Sequence, residues 1–138
     1  YRFDDLDFAA IDGGAGSDRI NGGFGKDTLT GGAEGDVFDF NSVLDSPNVP
    51  ARDLITDFAQ GSDIIDLLTI DANENTTQNE GFSFIGGAKF TADLPGEVRF
   101  VQAKGITSIY VNTDNDTTPE MRIDLTGLYT LTAADFVF

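Results

Sequence analysis

The chain has 138 residues, with 24 acidic against 8 basic side chains, a formal charge of −16, and neither His nor Cys. Within this chain that excludes an H-E-x-x-H zinc site, a Ser-His-Asp triad, a thiol nucleophile and any disulfide. The acidic excess opposes nucleic-acid and anionic-membrane partners, no apolar run reaches membrane-spanning length, and the length allows one domain with a modest core.

The opening residues, Tyr1-Arg2-Phe3-Asp4-Asp5, lack the basic-then-apolar layout of a signal peptide. Residues 1–12 read as a ragged lead-in or partial coil. Residues 13–39 then state one unit three times: GGAGSDRIN, GGFGKDTLT, GGAEGDVFD. The shared pattern is G-G-x-G-x-D-x-U-x, where U is a large apolar residue. A flexible glycine linker has no reason to keep Asp and an apolar residue in register every nine positions. The pattern instead predicts a calcium-binding turn followed by a very short strand, stacked as a parallel β-roll over residues 13–45.

Each residue type has a task in that unit. Gly13, Gly14 and Gly16 allow a turn that brings carbonyls inward, and Asp18 adds a carboxylate. Hard oxygens of this kind suit Ca2+, which takes six to eight of them in flexible geometry. Ile20 is the apolar plug. The second unit offers Gly22, Gly23, Gly25, Asp27 and Leu29. The third offers Gly31, Gly32, Asp36 and Phe38, but Glu34 stands where a glycine is expected, which predicts a distorted turn or a weaker site.

Two units make one coil, so like sides lie two units apart. Asp18 and Asp36 are therefore expected to face one calcium ion. Nine residues beyond Asp36 lies Asp45, the expected partner of Asp27; nine before Asp18 lies Ala9, where an acid is wanted. The roll thus starts near residue 11 or lacks an upstream coil, and Tyr1 reads as a fragment end. Asp53, Asp57 and Asp63 cluster just after the roll. Asp53 or Asp63 can complete a site with the last coil, or else cap a turn.

From residue 46 glycine thins out and short apolar runs follow: Leu54–Phe58, Ile64–Leu68, Phe82–Ile85, Val98–Val101, Ile106–Val111, Met121–Leu125 and Phe136–Phe138, after Val37–Phe40 upstream. Gly, Pro, Asn and Asp separate them, which predicts a β-sandwich over 46–138, in one continuous all-β, jelly-roll-like domain with the roll. Asp71–Glu80 is a polar loop. Asn112, Asp114 and Asp116 have the spacing that opens an EF-hand loop, but Thr117 and Ile123 occupy the positions that need Gly and Glu, so a hairpin turn is expected over Asn112–Glu120.

Of the 24 acids, 19 are Asp, the shorter side chain that favours turns and metal loops. Such a charge resists compaction until a cation neutralises it, so metal binding and folding are expected to be coupled. Acid pairs of the glycosidase kind arise by chance in so acidic a chain. No βαβ unit follows the glycines, so they are not a nucleotide loop.

The nonapeptides resemble those of RTX calcium-binding proteins. The segments DLITDFAQGSDIIDLLTIDAN, FSFIGGAKFT, GEVRF and LTAADFVF resemble the C-terminal module of serralysin-type secreted metalloproteases, and the likeness extends from about Gly13 to the end. The resemblance implies a non-enzymatic module with Ca2+ as its metal, a β-roll joined to a sandwich, type I secretion machinery as a partner, and folding outside the cell. It also implies a zinc protease domain N-terminal to this module in the parent chain. Asp135-Phe136-Val137-Phe138 is similar to the family's chain ending, which contributes to exporter recognition; it reads equally as a final core strand. Related modules accompany alginate epimerases, so a carbohydrate (alginate)-binding accessory module is the alternative. Against it, Arg52, Lys89, Arg99, Lys104 and Arg122 are few and scattered along the sequence. An adhesin would need many more repeats.

Overall fold

The computed structural model describes residues 8–48 and 50–138; the expected lead-in lies outside the described residues up to residue 7. Eleven short strands follow in order: β1 (Ala10–Asp12), β2 (Arg19–Ile20), β3 (Thr28–Thr30), β4 (Val37–Asp39), β5 (Asp53–Ile55), β6 (Ile64–Asp66), β7 (Ser83–Phe84), β8 (Glu97–Ala103), β9 (Ile106–Asn112), β10 (Met121–Thr126) and β11 (Phe136–Val137). Every expected run contains a strand. Among the described residues the only helical segments are single 3-10 turns at Val43–Asp45 and Ala133–Asp135.

The roll strands are short because each carries one fully buried apolar plug before the chain turns. Ile20, Leu29, Phe38, Ile55 and Ile65 are all fully buried. Each is flanked by a glycine or aspartate turn that reverses the chain before a second inward position is reached. A coil of two such strands cannot cover its own plug, so stability comes from stacking coil on coil.

Stacking sorts the strands into two sheets. One has the order β1-β3-β5-β10-β9-β8-β7 and the other β11-β6-β4-β2. In the first, Ile11 pairs with Leu29 and Leu29 with Ile55, all parallel. In the second, Ile20 pairs with Phe38, Phe38 with Ile65, and Ile65 with Phe136. The parallel ladders thus run past residue 45 into β5 and β6, which form a third coil.

The first sheet does not end with the roll. β5 pairs in parallel with β10, which continues into the antiparallel β9 and β8. The inner face of this extension carries Val98, Ile109, Val111, Met121, Ile123 and Leu125, all fully buried. Across the core, Phe136 of β11 lies with its ring centroid 5.3 Å from Phe84 and 5.2 Å from Phe138. The end of the chain therefore closes the core between the two sheets.

Candidate metal centre

Every coil turns at two edges, and both edges present a ladder of aspartates. At one edge the Asp18 amide donates to Asp36 Oδ1 at 2.9 Å, and the Asp36 amide donates to Asp63 Oδ1 at 2.9 Å. At the other, the Ala9 amide donates to Asp27 Oδ1 at 2.9 Å and the Asp27 amide to Asp53 Oδ1 at 2.8 Å. One carboxylate oxygen of Asp27, Asp36, Asp53 and Asp63 thus pins its coil to the preceding one. Other carboxylate oxygens are left for something else: Oδ2 of Asp18, Asp36 and Asp53 is buried without a hydrogen-bond partner.

Glycine at the head of each unit makes room for those oxygens. A Cβ on Gly13 would lie 2.7 Å from Asp18 Oδ2 and 2.6 Å from the Gly31 carbonyl oxygen; one on Gly22 or Gly31 would collide with Oδ2 of Asp27 or Asp36. Gly32, at φ +100°, is held even more tightly, because its Cβ would strike the Gly14 carbonyl. Gly14, Gly16, Gly23 and Gly25 share the left-handed region. Glu34 adopts it too, at φ 76°. The turn expected to distort therefore keeps its positive φ, at the expense of a strain of about 1–2 kcal/mol that Gly would not bear.

The electrostatics are those of an anionic cleft. Burial pushes the Asp53 carboxyl up to about 8; the Asp27 amide opposes this, while the charges of Asp27 and Asp45 add to it. Burial also raises Asp36, against the Asp18 amide bond and with help from Asp63, Asp18 and Asp57. Buried, mutually repelling carboxylates with orphan oxygens are costly unless a cation is supplied. Hard oxygen donors, with turn carbonyls beside them, fit calcium.

The structure places the expected site residues unequally. Asp18 with Asp36, and their glycines, meet as the repeat spacing requires. Asp27 meets Asp53 in register, while Asp45 sits nearby, buried, accepting from the Asn41 amide at 2.8 Å. The segment between β4 and β5 holds the 3-10 turn, so the nine-residue count fails there. Asp63 has both oxygens engaged, by Asp36 and by the Ala59 amide at 2.8 Å. Asp57, at the head of the third coil, accepts from the Gly31 and Gly32 amides at 2.8 and 2.9 Å. It stands at the first-glycine position, a role the nonapeptide pattern does not reveal.

The hairpin turn after β9 gathers Asp114, Asp116 and Glu120, with carboxylate oxygens within 4.8 Å of one another. Burial raises Glu120, opposed by its bonds from Thr113 and aided by Asp114 and Asp116. Asp114 Oδ1 and Asp116 Oδ1 accept the amides of Asp116 and Thr118, so this turn is braced as a polar hairpin.

Comparison with known proteins agrees with this geometry. The family described as Peptidase M10 serralysin C terminal matches residues 9–138. Serralysin A of Dickeya chrysanthemi is 37% identical over 100 residues, which is 72% of this chain and 19% of that protein. The chain thus spans about a fifth of that relative. Two solved structures from the Azotobacter vinelandii mannuronan C5-epimerase share the fold. Its AlgE6R3 subunit has a TM-score of 0.60 at 23% identity, covering 96% of this chain and 67% of that one. Its AlgE6R2 subunit has a TM-score of 0.60 at 22% identity, covering 98% and 88%.

Proposed function

Since the chain belongs to the serralysin C-terminal family of M10 peptidases, we propose that it is a non-enzymatic calcium-binding module whose folding is coupled to type I secretion of a larger protein. The observation that carries this reading is the set of buried, unpartnered Oδ2 atoms on Asp18, Asp36 and Asp53, with the Asp36 and Asp53 carboxylates already fixed through Oδ1. Calcium held there would neutralise charge that otherwise drives the coils apart. Asp18 and Asp36 serve one edge; Asp27, Asp53 and the nearby Asp45 serve the other; turn carbonyls complete each set.

Inside a cell, where free calcium is scarce, the charge of −16 keeps the roll open and the chain threadable. Outside, dissociation constants on the order of 10⁻⁴–10⁻³ M suffice to close it. The catalytic work of the parent belongs to an N-terminal protease domain. The ending Asp135–Phe138 is read by the exporter while unfolded and enters the core afterwards.

The test is a calcium titration of metal-stripped protein followed by far-ultraviolet circular dichroism, with magnesium as control. A cooperative gain of β signal with calcium alone supports the switch. A chain already fully folded in chelator, and unmoved by calcium, defeats it.

A further inference from the structure

Asn21 ends the first repeat and Gly22 begins the second, and nowhere else in the sequence does Asn precede Gly. That dipeptide carries its own chemistry. The Gly22 amide nitrogen has no Cβ beside it to obstruct an approach, and Cγ of Asn21 is an electrophilic carbon one five-membered ring away. A base takes the Gly22 amide proton, the nitrogen attacks Cγ, and the side-chain nitrogen leaves as ammonia with a returned proton. Water then opens the cyclic imide. Attack at the side-chain carbonyl gives aspartate; attack at the backbone carbonyl gives β-linked isoaspartate, whose main chain is one methylene longer. The step needs no oxidant, metal or enzyme.

The fold restrains both reacting groups. Asn21 is buried, and its Oδ1 accepts the Gly23 amide at 2.8 Å; ring closure has to break that bond. Gly22 is seated on Asp27, so that a Cβ built on it would collide with Asp27 Oδ2 and lie 2.9 Å from Cγ. The nitrogen that must swing toward Asn21 therefore belongs to a residue wedged against a carboxylate of the candidate metal centre. Asp27 is itself tied to both neighbouring coils, accepting the Ala9 amide and donating its own to Asp53. When that edge opens, both restraints are lost together. The two products then differ in consequence. Aspartate suits this position: Asp12, one unit earlier, accepts the Gly14 amide at 3.0 Å in the same kind of turn. Isoaspartate does not, because an extra main-chain atom ahead of Asp27 and the fully buried Leu29 displaces both from the register of the stack.

We propose that Asn21 is a self-modification site, deamidated and isomerised in the calcium-free chain and closed to that chemistry once calcium holds Asp27. The inference rests on the calcium module proposed above and adds a covalent consequence to it. A chain kept from calcium ages irreversibly: each isoaspartate formed at residue 21 removes a molecule from the population that can still build the second coil. A chain that folds promptly in calcium keeps its asparagine, because the reaction must wait for the edge to open.

The experiment ages metal-stripped protein at mildly alkaline pH in chelator, in calcium and in magnesium, with a free peptide spanning residues 19–24 as the unprotected reference. Mass spectrometry of the fragment containing Asn21 follows deamidation and isoaspartate, and far-ultraviolet circular dichroism of the same samples reports the fold. In chelator and in magnesium the rate should match that of the peptide; in calcium it should fall at least about tenfold. Protein aged in chelator should regain β signal with calcium only in the fraction free of isoaspartate. Asn21→Asp adds the charge without the longer main chain and should fold as the parent does. Asn21→Thr places at 21 the residue type of Thr30, one unit later, and should keep its refolding on ageing. Suppose calcium folds the chain but Asn21 reacts at one rate with and without it, or isoaspartate chains refold fully, or Asn21→Thr ages like the parent. Then this proposal falls and the calcium module stands. If calcium neither folds the chain nor slows the reaction, both fall.

Discussion

The Asp27 amide donates to Oδ1 of Asp53 at 2.8 Å, although 26 residues separate them. The regular coil spacing is 18, as in the bond from the Asp18 amide to Asp36. The extra residues between β4 and β5 carry Asp45 and Ser46, and Ser46 Oγ accepts the Asp53 amide at 2.8 Å. The insertion therefore supplies a support for Asp53 and an added negative charge beside it.

Asp53→Asn keeps an oxygen for the Asp27 amide and removes a buried carboxyl that the metal-free fold must keep protonated against its tendency to ionise. Metal-free protein is expected to gain stability at neutral pH, while calcium affinity falls about tenfold or more. Urea unfolding in chelator and calorimetric calcium titration should move in opposite directions. A variant weaker in both would place Asp53 in a purely structural role.

On the proposed reading Asp18→Asn and Asp36→Asn strike one site. Each is expected to weaken it, and the double variant should lose much less than the two single losses added together. Calcium titrations of all four proteins check this. Full additivity would mean that the two side chains serve separate ions.

The metal-free chain is expected to show an unusual pH dependence. Asp53, raised to about 8, holds a proton that the unfolded chain, with an ordinary carboxylate, has already lost. Stability is then present below the unfolded pKa and is lost as pH rises toward about 8, by at most roughly 6 kcal/mol. Asp36 adds the same sign. Burial raises Asp124, but bonds from Arg122, Arg52 and Ser108 outweigh it and leave it lowered, so it acts oppositely: its contribution is lost as pH falls below the ordinary carboxylate range. Metal-free stability should peak near about pH 4–5, and calcium should move the optimum toward neutrality. Denaturant midpoints across pH, with and without calcium, measure it.

Glu34→Gly relieves the strain at φ 76° and loses some of the gain to unfolded-chain entropy, for a net of about 0.5–1 kcal/mol in favour of folding. Gly32→Ala does the reverse, adding a Cβ onto the Gly14 carbonyl at φ +100°, and is expected to cost about 3 kcal/mol or more. Thermal melts in saturating calcium order the three proteins.

The chain ending separates core from signal. Phe136 is buried at 6% exposure and Val137 is 38% exposed. Phe136→Ala should cost about 3 kcal/mol, and Val137→Ala almost nothing. If the exporter reads the unfolded ending, both should lower secretion of the parent protein. Secretion that tracks stability alone would leave the ending as a core strand only.

The repeat by itself determined the roll. Nine-residue spacing with one Asp and one large apolar residue fixes a short strand, a turn and an inward plug. Hence the burial of Ile20, Leu29 and Phe38 and the meeting of Asp18 with Asp36 were legible. The glycine pattern likewise marked the left-handed turns, including the one that Glu34 now strains. What followed residue 39 was legible as strands but not as partners, because short apolar runs carry no register. Only the tertiary structure decided that Asp53 replaces Asp45 beneath Asp27, since an insertion is invisible to a count. Nor could the sequence show that Asp63 spends both oxygens on amides while Asp53 keeps one free of hydrogen bonds. Arg99, Tyr110 and Arg122 look unrelated along the chain; antiparallel pairing sets them side by side, because a sheet places residues by register rather than by sequence distance.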